Sequence, residues 1–231
     1  MSLQTEHKIT IPPIDTAAPQ NLETATFALG WFWGPDAQFG SQQGVIRTRV
    51  GYTGGKKLNP TYYSLGNHTE SLQIDFDPTR ISFEQLLDIF WDNHNPTRGA
   101  WSAQYKAAVF VHNKEQAQLA EASKVRVATE KTGRWFKRNI KTEILPAETF
   151  YLAEDYHQKY LLQNSPRIWG NILEIYRNDM MGWVNSTAAA RLNGYVGGYA
   201  SVEQLTREID SLGLSSPAQE YLWQTVKRFK K

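Results

Sequence analysis

The hydrophobic pattern of this chain first becomes regular at Thr24. Thr24 to Gly30 is a short β-prone run that ends in glycine, the pattern of a strand. Val45 to Tyr52 sets Val45, Ile46, Thr48 and Val50 around Arg47 and Arg49, a second strand rich in β-branched residues. Ser71 to Asp77 alternates, with Leu72, Ile74 and Phe76 on one face and Gln73 and Asp75 on the other. Pro78 ends it. Ser82 followed by Gln85 is a capping box, and Phe83, Leu86, Leu87 and Phe90 then repeat at helical spacing. Ala107 to His112 predicts a strand, Lys114 to Glu130 a long helix, and Ile140 to Leu145 a last strand.

This order of elements predicts an α+β fold. Its form is a two-layer sandwich with a mixed sheet and a split-βαβ, ferredoxin-like core. After about Ser165 the pattern becomes helical. "RIWGNILEIYRNDMMGW" and "SVEQLTREIDSLGL" read as amphipathic helices, and "NGYVGGYA" as a glycine-rich loop between them. Three segments follow: a loose, proline-containing arm over 1–22, a main domain over 23–165, and a helical C-terminal extension over 166–231.

Composition narrows the classes. The 231 residues carry 25 basic and 23 acidic side chains, a net charge of +2, which argues against a nucleic-acid binder. The densest basic stretch, Lys124 to Lys141, reads as the solvated face of a helix and its following loop. The N-terminus has no long apolar run, and no segment reaches the roughly 18 to 20 apolar residues of a membrane span, so a cytoplasmic protein is expected. No cysteine is present, which removes disulfides, thiolate metal sites and thiol nucleophiles from the sequence as written. His68, His94, His112 and His157 show no metal-ligand spacing, so no metal site is expected. "GYTGGKK" lacks the Gly-Lys-Ser/Thr of a phosphate loop and reads as a turn.

The unusual chemistry lies in "GWFWGPDAQFG". Gly30 to Gly34 reads as a strand-to-helix turn, with Pro35 suited to the first turn of a helix. Backbone N–H groups at such a helix start favour negative charge. Tyr62, Glu70 and Tyr105 stand near turns or strand starts. Their hydroxyls, and a carboxyl kept neutral beside rings, can donate hydrogen bonds to a polar oxygen. Read from spacing alone, the same three could simply be sheet-capping tyrosines and a surface acid.

Across roughly Thr24 to Leu162 the chain resembles the A-class peptide-methionine (S)-S-oxide reductases. The matching stretches are "GWFWGPDAQFG", "GVIRTRVGYTGG", "NPTY", "GNHTES", "ISFEQLLDIFW", "QYKAAVF" and "AEDYHQKYL". The C-terminal helices and "NSTAAARLNGYVGGY" resemble a longer branch of that family.

The resemblance implies that Phe32 and Trp33 cradle the methyl group of methionine sulfoxide. Tyr62, Tyr105 and Glu70 bind its oxygen, and Glu70 supplies the proton. A nucleophile at position 31 attacks sulfur, giving methionine and a sulfenic or selenenic acid on the enzyme. Thioredoxin or another external thiol clears that acid, with no bound cofactor.

This chain departs from the family pattern in three ways. Position 31 is Trp, where the family has Cys or selenocysteine. Ala100 stands where the family often has an aspartate. No resolving cysteine exists. Selenocysteine is encoded by UGA, one base from the tryptophan codon UGG, and cysteine is also one base away. The expectation is reduction of methionine-S-sulfoxide when position 31 is natively Cys or Sec, and inactivity with Trp31. The alternatives are a ligand-binding protein without chemistry and a partner-binding module built on the C-terminal helices.

Overall fold

The computed structural model describes residues 10–130, 139–177 and 179–229. Six strands form one mixed sheet: β1 Glu23–Leu29, β2 Val45–Thr53, β3 Thr69–Phe76, β4 Ala107–Val111, β5 Glu143–Pro146 and β6 Tyr151–Leu152. Their order is β5-β4-β1-β3-β2-β6. β3 runs antiparallel between β1 and β2, and β4 antiparallel to β1, which is the split-βαβ core; β5 adds parallel to β4 and makes the sheet mixed. β1 to β5 start and stop within three residues of the positions read from the pattern, whereas β6, which follows the strand expected to be the last, was not predicted. The largest shift is β5, which begins at Glu143 rather than Ile140.

Ten α-helices are seen among the described residues. α1 is Pro13–Thr16, α2 Trp33–Gly40, α3 Phe83–Asp92, α4 Lys114–Glu130, α5 Tyr160–Gln163, α6 Pro166–Tyr176, α7 Met180–Val184, α8 Thr187–Val196, α9 Val202–Glu208 and α10 Ser216–Phe229. The Ser82–Gln85 capping box forms as expected: Gln85 N–H donates to Ser82 Oγ at 3.2 Å, and Ser82 N–H donates to Gln85 Oε1 at 2.8 Å.

Period-two alternation decides what reaches the core. Ala25 and Phe27 of β1, Val50 and Tyr52 of β2, and Leu72, Ile74 and Phe76 of β3 share the face packed by Phe39, Phe83, Leu86, Leu87 and Phe90. Glu70 has the same parity as Leu72 and pairs with Tyr52 across the sheet, so alternation brings a carboxylate to the end of the apolar layer.

Three expectations need correction. The arm is not loose from Thr10 onward. α1 docks there, and Asp15 accepts hydrogen bonds from Ser186 Oγ at 2.9 Å, from Ala188 N–H at 3.0 Å and from the Tyr176 hydroxyl. "RIWGNILEIYRNDMMGW" is two helices, because Arg177 takes a positive φ of 51° and Asp179 caps the second through Gly182 N–H. "NGYVGGYA" is only half a loop: Asn193 to Val196 complete α8, and the turn starts at Gly197. Gly194 serves close packing rather than a turn, since a Cβ there would meet Ser41 Cβ at 2.6 Å and Ala37 O at 2.8 Å. The first part of the basic stretch lies on α4, and residues 131–138 of it lie outside the described residues.

The C-terminal helices have their own core of Leu162, Ile168, Ile172, Trp183, Leu192, Tyr195, Leu205 and Leu222. α8 is buried almost throughout and packs along α2. Arg191 reaches across to the far end of α2, donating to Gly40 O at 2.8 Å and to Gln42 O at 2.5 Å, and it pairs with Glu208 at 3.2 Å. These carbonyls are the acceptors a helix end leaves unsatisfied.

Candidate active site

β1 stops at Leu29 because Gly30 takes φ +91°, a conformation that side chains rarely adopt. The chain turns through Trp31 and Phe32, and α2 begins at Trp33. Position 31 therefore lies at the start of a helix, as the glycine-flanked aromatic run predicts.

All six residues singled out in the sequence come together. Trp31, Phe32, Trp33, Tyr62, Glu70 and Tyr105 line one small cavity of about 50 Å³, although they come from four separate segments. Phe32 is buried, and its ring meets His157 edge-on at 5.2 Å. Trp33 stacks flat on Tyr160 at 3.8 Å, and its indole N–H donates to His157 Nδ1 at 3.2 Å. Trp31 is different. Its side chain is 65% exposed and sits at the cavity rim, 5.9 Å from the Trp33 ring and 6.4 Å from that of Tyr105.

Glu70 is 3% exposed. Burial raises its pKa, opposed by hydrogen bonds from Gln104 and from the Phe32 backbone N–H, both of which favour the charged form. The Gln104 amide donates to Glu70 Oε1 at 2.8 Å. The Tyr105 hydroxyl is pushed up to about 12 by burial, then by its hydrogen bond to Tyr62 and by the nearby Glu70. Tyr105, Tyr62 and Glu70 thus form one polar cluster facing the rings of Phe32 and Trp33.

A second tier of residues, none of them among the predicted site residues, holds this cluster. Glu154 accepts from Tyr62 N–H at 3.0 Å and from the Tyr52 hydroxyl at 2.7 Å. Burial works to raise its pKa, but these hydrogen bonds outweigh it and the net shift is downward. His157 is 2% exposed, and burial lowers its pKa. Its Nδ1 accepts from Trp33, so the ring is neutral with its proton on Nε2.

Asp36, in the first turn of α2, accepts from Lys159 N–H at 3.0 Å, Lys159 Nζ at 3.2 Å and Asn193 Nδ2 at 3.1 Å. Burial also lowers the pKa of Lys159, and the Asp36 carboxylate opposes it. "AEDYHQKYL", which carries Glu154, His157 and Lys159 within nine residues, was the available signal. A polar run that dense inside an otherwise apolar core needs internal partners.

Ala100 lines a neighbouring cleft rather than the cavity itself. Among the described residues no group of His, Cys, Asp or Glu could hold a metal ion, and no helix is long and apolar enough to cross a membrane.

Comparison with known proteins identifies the family. A family described as peptide methionine sulfoxide reductase matches residues 23–181, and one described as the helical domain of selenoprotein methionine sulfoxide reductase A matches 183–224. A peptide methionine sulfoxide reductase of Drosophila melanogaster is 41% identical over 206 residues, covering 89% of this chain and 80% of its own. One from Synechocystis sp. is 40% identical over 175 residues, covering 71% and 78%. Among solved structures, methionine sulfoxide reductase A of Corynebacterium diphtheriae superposes with a TM-score of 0.55 at 33% identity, covering 64% of this chain and 77% of its own. Mxr1 of Saccharomyces cerevisiae in reduced form gives 0.54 at 27%, covering 64% and 88%. With most of its length matched in this way, the chain belongs to the A-class peptide methionine sulfoxide reductase family and carries that family's C-terminal helical domain.

Proposed function

We propose that this chain reduces methionine-S-sulfoxide when position 31 carries a selenol or thiol, and that with Trp31 it is a reductase site without its reactive atom. The observation that carries this reading is the cavity. Five side chains able to hold the substrate's methyl group and oxygen converge there, and position 31 lies at its rim. The rings of Phe32 and Trp33 provide an apolar wall for the methyl group. Tyr62, Tyr105 and a protonated Glu70 are the donors for the sulfoxide oxygen. This opposed placement favours one sulfur epimer. The description of the matched helical domain as part of a selenoprotein agrees with a UGA codon at position 31.

The reaction balances as follows. A selenolate or thiolate at position 31, favoured by the helix start, attacks the substrate sulfur and takes over its oxygen. Glu70 delivers the proton. The products are methionine and a selenenic or sulfenic acid on the protein. One external thiol condenses with that acid and releases water. A second displaces the first as a disulfide and regenerates the nucleophile. The chain has no cysteine, so both thiols come from outside, from a thioredoxin-like protein or a small dithiol.

The test is turnover of the S epimer with dithiothreitol. The chain as written should be inactive and Trp31→Cys active. Activity of the former, or none in a folded Trp31→Cys protein, would overturn the reading. The codon for residue 31 gives an independent check.

A further inference from the structure

Beside the small cavity lies a larger open cleft of about 350 Å³. The two share Trp31 and Tyr105. The cleft therefore borders position 31. Its outer wall includes Trp101, whose ring lies 4.9 Å from that of Tyr105 and is 80% exposed. An exposed indole costs solubility and marks a contact surface when it borders a binding site.

Among the described residues, Arg98 is the one cation on the lining, and no acid accompanies it. His94 holds Phe90 O at 2.7 Å and Thr142 Oγ1 at 2.8 Å. Ala100 adds only a methyl group to this wall.

We propose that this cleft seats the polypeptide flanking an oxidised methionine, and that Arg98 at its rim favours chains bearing a carboxylate side chain near that methionine. The proposal rests on the reductase reading and adds to it a sequence preference set by Arg98 among the peptides that the family's name already implies. A cavity of about 50 Å³ takes the thioether end of the side chain only. The backbone of a peptide substrate must leave it, and the cleft continuous with its mouth has the indole and the charge to receive that backbone. Its size is within the range of ligand-binding clefts.

Binding and turnover test the proposal separately. Binding uses the full chain with Trp31→Ser, which cannot react, and a fluorescein-labelled nonapeptide with central methionine-S-sulfoxide. Glutamates stand two residues to either side of it, and a control peptide carries lysines there. Polarisation at 20 mM salt should show the glutamate peptide binding about three-fold tighter than the control, a difference that fades by 0.5 M salt. Adding Arg98→Glu should reverse the preference, and Trp101→Ala should weaken both peptides about five-fold or more.

Equal binding of both peptides in every variant would overturn the proposal. So would Arg98→Glu slowing only the step with a dithiol protein, which would make the cleft a reductant site. Turnover of free methionine-S-sulfoxide by Trp31→Cys should be unchanged by Arg98→Glu. If Trp31→Cys reduces nothing yet Arg98-dependent peptide binding persists, the reductase reading fails and the cleft stands.

Discussion

At the scale of single residues, the site depends on which groups carry a proton. In the proposed reaction Glu70 must be protonated to act as the acid, and burial extends that state to higher pH than an ordinary carboxyl allows. In a Trp31→Cys background, kcat should therefore fall as pH rises through the Glu70 value. Glu70→Gln should cost about 100-fold or more, the usual worth of a positioned acid. Gln104 stabilises the ionised carboxylate, so Gln104→Met should raise the Glu70 pKa and move the alkaline limb of the profile upward. A limb that stays in place would show that another group sets it.

His157 works in the opposite direction. Its folded pKa lies below the ordinary 6.5, so between these two values the unfolded chain binds a proton that the folded one does not. Stability is then lost as pH falls from 6.5 through the folded value. The Trp33 hydrogen bond should be lost with it, visible as a change in tryptophan emission that His157→Phe abolishes.

At the scale of elements, some features could be read from the chain and others could not. The strand-to-helix turn was legible because Gly30, the aromatic run and Pro35 each carry a local signal. The alternation of Leu72, Ile74 and Phe76 was legible, but the strand begins two residues earlier than the pattern shows, and only that extension puts Glu70 on the same face. α8 was not legible: the pattern marks no separate helix over Thr187 to Leu192, and the stretch from Asn193 reads as a loop. Its glycines look like a loop, whereas Gly194 is there to admit Ser41 and Ala37 of the facing segment. Glu154 and His157 escaped the residue-level reading because their roles depend on partners 92 and 124 positions away, and no periodicity encodes such a distance.

The same long-range bonds predict where the fold is fragile. Lys159 is fully buried against Asp36 and Thr48. Lys159→Met should cost about 3–5 kcal/mol in urea unfolding, since it leaves Asp36 buried without its cation. A loss within about 0.5 kcal/mol would mean that Asn193 and the Lys159 backbone suffice to solvate that carboxylate.

At the scale of the whole molecule, the two cores are not independent. α8 and α2 approach through Gly40, Gly194 and Ala190, and α1 ties residues 12–17 to the helical part through Asp15. Ending the chain at residue 165 would expose the packed face of α2 and remove both Arg191 and Asn193. Such a fragment should unfold at a lower temperature in calorimetry and lose sulfoxide turnover in the Trp31→Cys background. A fragment with unchanged melting would show the helices to be an appendage.

The bond from Asn193 to Asp36 spans 157 positions, which has a consequence for biosynthesis. At about 5–20 residues per second a ribosome needs roughly 8–30 s to cover that span. Throughout that time the helix behind position 31 lacks one of the partners of its first-turn carboxylate. In the Trp31→Cys protein the thiol would wait through that time in a nascent chain that does not yet include Asn193. Chains of the Trp31→Cys variant arrested before residue 190 should therefore react with a thiol-directed label at position 31 more readily than the released variant does.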